Sequence, residues 1–359
     1  MPRKGRKSAK ATQHEAGKLD ERAEGEARQG IQIWRSVGKV VTLAVPIRAP
    51  GVLSQLLGEM RSGKISEAMW ALYLSRTLNP DDPRLRAAPF STSPMNYVVF
   101  RHRIRAMQSF RNAREASQRL GRRLYMVTAS DTAREADASV CTEAAREEML
   151  RIASPNKTNH LPSYLPLYVG MRLLLFSKEC VRFGLMNGCE CELVGVVFAD
   201  DEEIVDEAVA GHYLPLQFMP VSLLLRVPNA AWVLPTTELP NLGPDVNRRG
   251  LFQLRPTSAH VRFQVGTEHS IYVRRTQFPV LPVDTRIVYA AQGESFDAIL
   301  VDMQMPPGMH KTTHWLACYV MLSRARSIDG LLVLRPASYK ELSTPPPQYL
   351  GGEINRLLA

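Results

Sequence analysis

The spacing of apolar residues predicts helices and buried strands at both ends of the globular part of the chain. Between Ile31 and about residue 160, apolar residues occur in β-branched runs such as "VVTLAV" (residues 40–45) or at helical spacing, as in "ISEAMWALYLSR" from Ile65 to Arg76. Towards the C-terminus, "DAILVDM" and "GLLVLRP" are continuous apolar runs of the kind that a parallel sheet buries on both faces. The pattern predicts an α/β protein built on a parallel sheet.

The middle of the chain has a different pattern. From Leu165 to about Val280, short apolar runs alternate with turn signals such as Asn187-Gly188, whose residues both tolerate positive φ. This pattern predicts a small β-barrel inserted into the α/β protein. The preceding stretch, "SPNKTNHLPSYLPL" (residues 154–167), reads as a linker between the two.

Both ends of the chain are polar. Residues 1–30 are rich in Lys, Arg, Glu and Gly without apolar periodicity, which predicts a disordered basic tail. The opening "PRKGRKSAK" is compatible with a nuclear address, with a loose nucleic-acid contact, and with a solvated segment that has no role. Residues 341–359 form a Pro-rich tail, and the last part of this tail has a short helical pattern.

The stretch "LLGEMRSGKIS" nearly matches the phosphate-binding pattern G-x-x-x-x-G-K-[ST] through Gly58, Gly63 and Lys64. A phosphate loop needs a strand before it, whereas the residues before Gly58 have helical spacing. Ile65 also lacks the hydroxyl that would hold Mg²⁺. We therefore predict a helix ending near Arg61, a left-handed cap at Gly63 and a second helix after Ser66.

The formal net charge is +10, which favours a polyanionic partner, with nucleic acid ahead of a membrane surface. Basic residues concentrate around one predicted helix: Arg101, His102, Arg103, Arg105, Arg111, Arg114, Arg119, Arg122 and Arg123. A phosphate-tracking face would use them, with Arg101, Arg103 and Arg105 as the candidate nucleic-acid contacts. The alternative is a solvated helix that pairs with Glu115 and with the acidic "DDEE" of residues 200–203.

Other classes of function receive little support from the composition. No apolar run reaches the ~18 residues that a spanning helix needs, so we expect no membrane partner. The five cysteines are an odd number at low density, which suits a reducing, intracellular compartment. Cys189-Glu190-Cys191 is spaced too tightly for a C-x-x-C metal knuckle, and we expect no metal site.

Two C-terminal segments carry the strongest resemblance to a known family. They are "YAAQGESFDAILVDM" and "CYVMLSRARSIDGLLVL", and they resemble motifs V and VI of superfamily 1B DNA helicases, the PIF/RecD-like branch. The positions that match are Gln292, Gly293 and Ser295 in the first segment and Tyr319, Val320, Leu322, Ser323, Arg324, Gly330 and Leu331 in the second. Upstream segments agree in the same order, including "VGMRLLLF" and "VRRTQFPV", so the resemblance extends over about residues 38–336.

The resemblance implies a fold and a site. The fold is a RecA-like parallel-sheet lobe (residues 31–160 and 281–340) with an inserted SH3-like β domain (residues 161–280). In such motors, ATP is hydrolysed between two lobes and arginines of the second lobe stabilise the γ-phosphate. By position, Arg324 and Arg48 would be these arginines, and Gln292, Gly293 and Ser295 would lie near the nucleotide. Tyr289 stands where the family has a His and is counted with the nucleic-acid contacts.

The family's first lobe carries the phosphate loop, and only about 40 residues precede the first match here. We therefore expect the C-terminal half of a 5′ to 3′ DNA helicase that binds single-stranded DNA. ATP and Mg²⁺ are expected only together with a complete N-terminal lobe. That lobe would come from the same gene if the chain is a fragment or a truncated gene model, or from elsewhere if the chain is one subunit. The alternatives are a non-catalytic nucleic-acid-binding module and an interaction protein that uses "STPPPQYL". Nuclear and mitochondrial locations are both compatible with the basic N-terminus.

Overall fold

The computed structural model describes residues 24–38, 51–179, 181–203, 213–235, 246–265 and 269–358. The strand predicted at residues 40–45 and the candidate Arg48 lie outside these ranges. The chain divides into two compact units, one from Arg48 to Thr344 and one formed by the two ends of the chain. Among the described residues, no helix combines the length and apolarity needed to cross a bilayer.

The unit of the chain ends contains two helices, α1 (residues 24–35) and α8 (Gln348–Leu358). The indole of Trp34 donates a hydrogen bond to the carboxylate of Glu353, which also pairs with Arg356. Helix α1 begins inside the segment that the sequence predicted to be disordered up to Gly30, and the prediction is wrong for its last residues. The sequence did not predict this helix, since residues 24–30 have no apolar stripe. It is stabilised instead by the contact with α8 and by an exposed Glu24–Arg28 pair.

The larger unit is built on a four-stranded parallel sheet in the order β13-β1-β14-β15. Its strands are β1 (Asn96–Val99), β13 (Thr285–Ile287), β14 (Ile299–Asp302) and β15 (Leu331–Arg335). All four residues of β14 are buried, as expected for a strand that is covered on both faces. One core cluster covers the sheet with helices α2 (Val52–Ser62), α3 (Glu67–Ser75) and α6 (Lys311–Leu322). The sequence prediction of a parallel α/β sheet is confirmed.

A five-stranded antiparallel sheet, which we call the barrel sheet, has the order β12-β5-β6-β8-β9. Its strands are β5 (Arg172–Leu175), β6 (Glu190–Val197), β8 (Ser222–Arg226), β9 (Leu251–Leu254) and β12 (Val280–Pro282). Gly188 has φ 91° in the turn that leads into β6, whereas Asn187 does not have positive φ, so only the glycine adopts the conformation predicted for the Asn187-Gly188 pair. A β element in this part of the chain is confirmed, while the predicted domain boundaries stay predictions.

Two smaller sheets accompany the barrel sheet. One pairs β4 (Tyr164–Leu167), β2 (Leu124–Thr128) and β7 (Tyr213–Pro215), and the other pairs β10 (Thr257–Val265), β11 (His269–Gln277) and β3 (Ser130–Ala133). The linker predicted for residues 154–167 is therefore wrong at its end. The run Tyr164–Leu167 contains a proline, yet it pairs antiparallel with β2 and buries three of its four residues.

Helix α4 (His102–Arg119) packs mainly against β13 and β1 of the parallel sheet, and α5 (Glu143–Leu150) packs against β10. The short α7 (Tyr339–Leu342) follows β15. The basic helix predicted from the sequence corresponds to α4. The segment with the near phosphate-binding pattern is the junction of α2 and α3. Gly63 has φ 72° and its N–H donates to the carbonyl of Met60, while the Ser66 hydroxyl accepts from Met69 N. The predicted helix–glycine–helix junction is confirmed.

Candidate nucleotide and nucleic-acid site

The two segments that carry the helicase resemblance are adjacent in the structure. After β13, a 3₁₀ turn (Val288–Ala291) leads into the loop 292–295, in which Gly293 has φ 92°. A parallel bridge joins Phe296 to Ala325, just beyond the end of α6. Phe296 N donates to the carbonyl of Arg324 at 2.8 Å, and Arg326 N donates to the carbonyl of Phe296 at 3.0 Å. The backbone therefore holds the loop 292–295 beside Arg324.

The guanidinium of Arg324 is oriented by this same arrangement. It donates to the carbonyl of Glu294 at 3.1 Å, to the carbonyl of Val320 at 3.1 Å and to the Ser323 hydroxyl at 2.8 Å. The side chain is half-buried, whereas Gln292 and Gly293 are exposed and Ser295 is half-buried. The structure thus brings Arg324 together with the three predicted nucleotide-site residues.

An ionic network that the sequence did not reveal connects this loop to the barrel sheet. The buried guanidinium of Arg286, from β13, pairs with Glu294 in the loop and with Glu190 at 3.0 Å. Glu190 lies in β6 and also pairs with Arg172 of β5 at 2.6 Å. The loop beside Arg324 is therefore fixed from two sides, by the parallel sheet and by the barrel sheet. No spacing in the sequence relates residues 172, 190, 286 and 294, so only the fold shows this network.

The predicted nucleic-acid contacts fall into two groups. Arg101, Arg103 and Tyr289 are exposed, with 68% of Tyr289 accessible, and Arg101 donates to the carbonyl of Pro307 at 2.6 Å. Arg105 instead faces inward and is only 7% exposed. Arg101 lies just after β1 and Tyr289 just after β13, and these strands are parallel neighbours. Both residues therefore lie at the carboxyl edge of the sheet, the edge at which open α/β sheets bind ligands.

The alternative explanation of the basic helix, a solvated helix whose arginines pair with Glu115 and with the acidic segment 200–203, holds in part. Arg111 pairs with Glu115 at 2.9 Å on the exposed face of α4. In the acidic segment 200–203, the carboxylate of Glu202 accepts hydrogen bonds from the backbone N–H groups of Gln217 and Phe218. These contacts use it locally and do not involve the arginines of α4.

A half-buried acid, Asp284, lies beside α4 and directly before β13. Burial raises the pKa of the Asp284 carboxyl to about 6, against the opposing effect of the hydrogen bond that Asn112 donates to it at 2.6 Å. Burial also lowers the pKa of Arg105 to about 10, and the charge of Asp284 partly offsets this effect. In the described part of the chain, no cluster of three His, Cys, Asp or Glu residues could hold a metal ion.

No protein-family model matches the chain, and no curated protein matches it. Among solved structures, the chain is similar to a Pif1 helicase from Bacteroides in complex with ADP-AlF3 and ssDNA, at 14% identity and a TM-score of 0.52, over 89% of this chain and 56% of that chain. It is also similar to the Pif1 helicase from Candida albicans, at 16% identity and a TM-score of 0.49, over 85% of this chain and 57% of that chain.

A third structure, Bacteroides Pif1 bound to ssDNA, is 12% identical with a TM-score of 0.46, over 86% of this chain and 54% of that chain. The chain spans about half the length of the solved structures it matches. At this level of identity, the similarity to the Bacteroides ADP-AlF3 structure is one of fold. The chain has a helicase-like fold, that of part of a Pif1 helicase, with a RecA-like parallel sheet.

Proposed function

We propose that this chain is the C-terminal motor half of a 5′ to 3′ ATP-dependent DNA helicase. In this proposal it binds single-stranded DNA and supplies arginines to an ATP site that an N-terminal lobe completes. The observation that carries the proposal is the position of Arg324, which the loop 292–295 and the end of α6 hold in a fixed orientation on a helicase-like fold.

The chemistry of phosphoryl transfer explains why this position matters. Catalysis depends on stabilising the charge that develops on the transferred phosphoryl group. A guanidinium suits this role because it is always charged and presents a planar fork of donors. Arg324 is half-buried and donates to the carbonyl of Glu294 in the loop 292–295, so its guanidinium is pre-oriented beside that loop. Arg48 would be the second arginine, and it lies outside the described residues.

ATP and Mg²⁺ would be held mainly by residues of the N-terminal lobe. The stretch that comes closest to a phosphate loop is a helix–glycine–helix junction in this structure, so it offers no strand-to-helix turn for the phosphates. The residues that fit the nucleotide are therefore Arg324 and the loop Gln292–Ser295. Their contribution is to orient a charge and to close the site against water.

Single-stranded DNA would lie along the carboxyl edge of the parallel sheet. Arg101 supplies a charge for a phosphate, and the exposed ring of Tyr289 supplies a surface on which a base can stack. The Bacteroides Pif1 structure with the same fold contains both ADP-AlF3 and ssDNA, which supports the combination of the two ligands in this proposal.

Binding of a fluorescently labelled oligothymidylate tests the DNA half of the proposal. We expect affinity to fall at least tenfold between ~50 and ~200 mM salt, because phosphate contacts release counterions. Tyr289→Ala should weaken binding by roughly tenfold through lost stacking. Arg111→Gln, on the exposed face of α4, is the control and should change affinity by less than about threefold. No binding at low salt would contradict the proposal and would favour the Pro-rich interaction protein.

Hydrolysis of ATP tests the motor half. We expect the chain to show DNA-stimulated ATPase activity when combined with a RecA-like N-terminal lobe that carries a phosphate loop. Arg324→Ala should lower that activity by roughly a thousandfold, as expected for loss of an arginine finger. Arg326→Ala is the matched control, because Arg326 is exposed and pairs only at the surface with Asp297.

Two other outcomes would change the conclusion. Turnover by the chain alone that is sensitive to Arg324→Ala would show that no further lobe is needed. DNA binding without any nucleotide-dependent activity, even with the lobe present, would identify a non-catalytic nucleic-acid-binding module instead.

A further inference from the structure

A cavity with an unusual charge distribution lies between helix α4, the segment 150–166 and strand β12. We call it the arginine pocket. Its volume is about 490 Å³. Three arginines line it, Arg103, Arg105 and Arg151, and none of the described residues that line it is acidic. A cavity of this size that presents only positive charge is suited to an anion larger than a simple inorganic ion.

The floor of the arginine pocket contains polar groups without partners. Arg105 is only 7% exposed, its Nε has no hydrogen-bond partner, and its Nη2 makes one long contact of 3.5 Å with the carbonyl of Ala153. Ser109, one turn further along α4, is 3% exposed and its hydroxyl also lacks a partner. Buried polar atoms are normally satisfied, because leaving one unpaired costs ~1–3 kcal/mol. Both atoms have almost no accessible surface, so they make the floor of the pocket polar, while a ligand would contact only the small exposed part of Arg105.

The buried charge of Arg105 is not neutralised by a direct ion pair in the described part of the chain. The acid that acts on it, Asp284, does so without forming a salt bridge, and the pKa of Asp284 is itself raised by burial. Arg151 shares its charge with Glu147 at 3.3 Å on the surface. A phosphate in the pocket would add a counter-charge close to Arg105 and Arg103, which both line it.

Apart from Thr158 and Ser163, the remaining walls of the pocket are apolar and aromatic. Tyr164 at its edge is half exposed, and Met107, Ile152 and Leu281 also line the cavity. Apolar side chains and an exposed aromatic ring suit a nucleobase, which is bound mainly by stacking. The combination of an arginine floor with an aromatic edge therefore matches one nucleotide, with its phosphate inside and its base against Tyr164.

We propose that the arginine pocket binds a single nucleotide unit, with its phosphate on Arg105 and Arg103 and its base on Tyr164. The nucleotide can belong to a bound strand, in which case the inference rests on the proposed DNA-binding function. It can also be a free mononucleotide, in which case the pocket stands without that function.

Two ligands distinguish these sources, thymidine monophosphate by calorimetry and labelled oligothymidylate by fluorescence anisotropy. We expect Arg103→Gln to weaken binding of the strand at least fivefold more than Arg111→Gln, because both remove one exposed charge from α4 but only Arg103 lines the pocket. We expect Tyr164→Ala to weaken binding by roughly tenfold, and Tyr164→Phe to restore it because the ring is kept.

Arg105→Met removes the buried charge with little change in volume and should weaken both ligands at least tenfold. Its unfolding temperature is measured alongside, and Arg103→Gln gives the same test on an exposed residue if the fold is disturbed.

The outcomes are separable. Equal affinities of Arg103→Gln and Arg111→Gln for a strand that the unmodified chain binds, with Tyr164→Ala unchanged, would overturn the pocket and leave the proposed DNA binding intact. Binding of thymidine monophosphate that Arg105→Met weakens, without any binding of the strand, would support the pocket and count against the DNA-binding function. If neither ligand binds, both proposals fail.

Discussion

At the scale of single residues, the segment "VRRTQFPV" illustrates how a family-like pattern can be structural. Arg275 is fully buried and holds Asp131 through two hydrogen bonds of 2.8 and 2.6 Å. It also donates to the Ser163 hydroxyl and to the carbonyl of Met149. Buried Gln277 donates to the carbonyl of Val127 and accepts from Phe278 N. These side chains join β11 to β3, to β2 and to the end of α5, and they lie in the interior of the fold.

The substitution Arg275→Met is therefore expected to lower the free energy of unfolding by about 3–5 kcal/mol, since it leaves the carboxylate of Asp131 buried without its partner. Denaturation in urea measures this change. Arg111→Met is the matched control, because its ion pair with Glu115 is exposed, and it should cost less than about 0.5 kcal/mol. A loss below about 1 kcal/mol for Arg275→Met would contradict the structural role.

The raised pKa of Asp284 predicts that the free energy of unfolding falls as the pH rises. Its pKa is raised by burial to about 6, above the ~3.9 of an exposed aspartate, so the folded protein retains this proton over the intervening range. The contribution of Asp284 to stability is greatest below about pH 4 and is lost as the pH rises to about 6. Relative to Asp284→Asn, the unmodified protein should lose about 3 kcal/mol of unfolding free energy over that range.

Urea denaturation of both proteins at several pH values tests this expectation. Only the difference between them matters, because other groups titrate in both. Parallel pH profiles would show that Asp284 titrates normally in the folded protein.

At the scale of elements, Gly58 and Gly63 have different structural roles at the α2–α3 junction, although a phosphate loop would use both glycines together. Gly58 lies inside α2, and no atom would come within 4 Å of an added Cβ. Gly63 has φ 72°, which only glycine adopts without strain. The same substitution at the two positions should therefore change stability in opposite directions.

We expect Gly58→Ala to stabilise the protein by ~0.5–1 kcal/mol, through better helix propensity. We expect Gly63→Ala to destabilise it by ~1 kcal/mol, because alanine is strained in the left-handed region. Thermal or urea denaturation of the two variants provides the comparison. Destabilisation by both would contradict the assignment of Gly58 to a helix interior.

Helix α4 shows where sequence patterns stop being informative at this scale. Its buried positions are Arg105, Ser109, Ala113 and Ser117, which recur every four residues but contain no large apolar side chain. A search for apolar periodicity finds no inner face in such a helix. The sequence predicted a basic helix here. It could not predict that Arg105 faces inward, because that orientation depends on the segment around Ala153 that packs against the helix.

At the scale of the whole molecule, the network of Arg172, Glu190, Arg286 and Glu294 joins the barrel sheet to the parallel sheet. Glu190 is its central acid, since it pairs with both arginines. Because Arg286 is buried, removing Glu190 would leave its charge with one carboxylate fewer, which costs more than the loss of a surface ion pair.

Replacing this acid should therefore affect both sheets. Glu190→Gln is expected to lower the free energy of unfolding by ~1–2 kcal/mol and to increase hydrogen exchange in residues 288–295. Glu115→Gln, which breaks only the exposed pair with Arg111, is the control and should cost less than about 0.5 kcal/mol without changing exchange in that loop. Unchanged exchange in Glu190→Gln would show that the barrel sheet does not hold the loop.

By itself, the sequence determined the elements whose pattern is local. The continuous apolar runs of β14 and β15 and the glycine cap at Gly63 could be identified from neighbouring positions, because capping and burial on both faces act over a few residues. The motif residues around Gln292 and Arg324 were identified instead by their resemblance to helicase motifs. The helicase-like fold followed from the order of these motifs.

Only the tertiary structure decided which distant residues meet. The strand Tyr164–Leu167, the helix at residues 24–35, the inward turn of Arg105 and the ionic network around Glu190 have no local pattern that could reveal them. Each depends on a partner far away in the sequence, since burial and ion pairing are set by the packing of whole elements. The same packing places Arg324 beside the loop 292–295 and creates the arginine pocket.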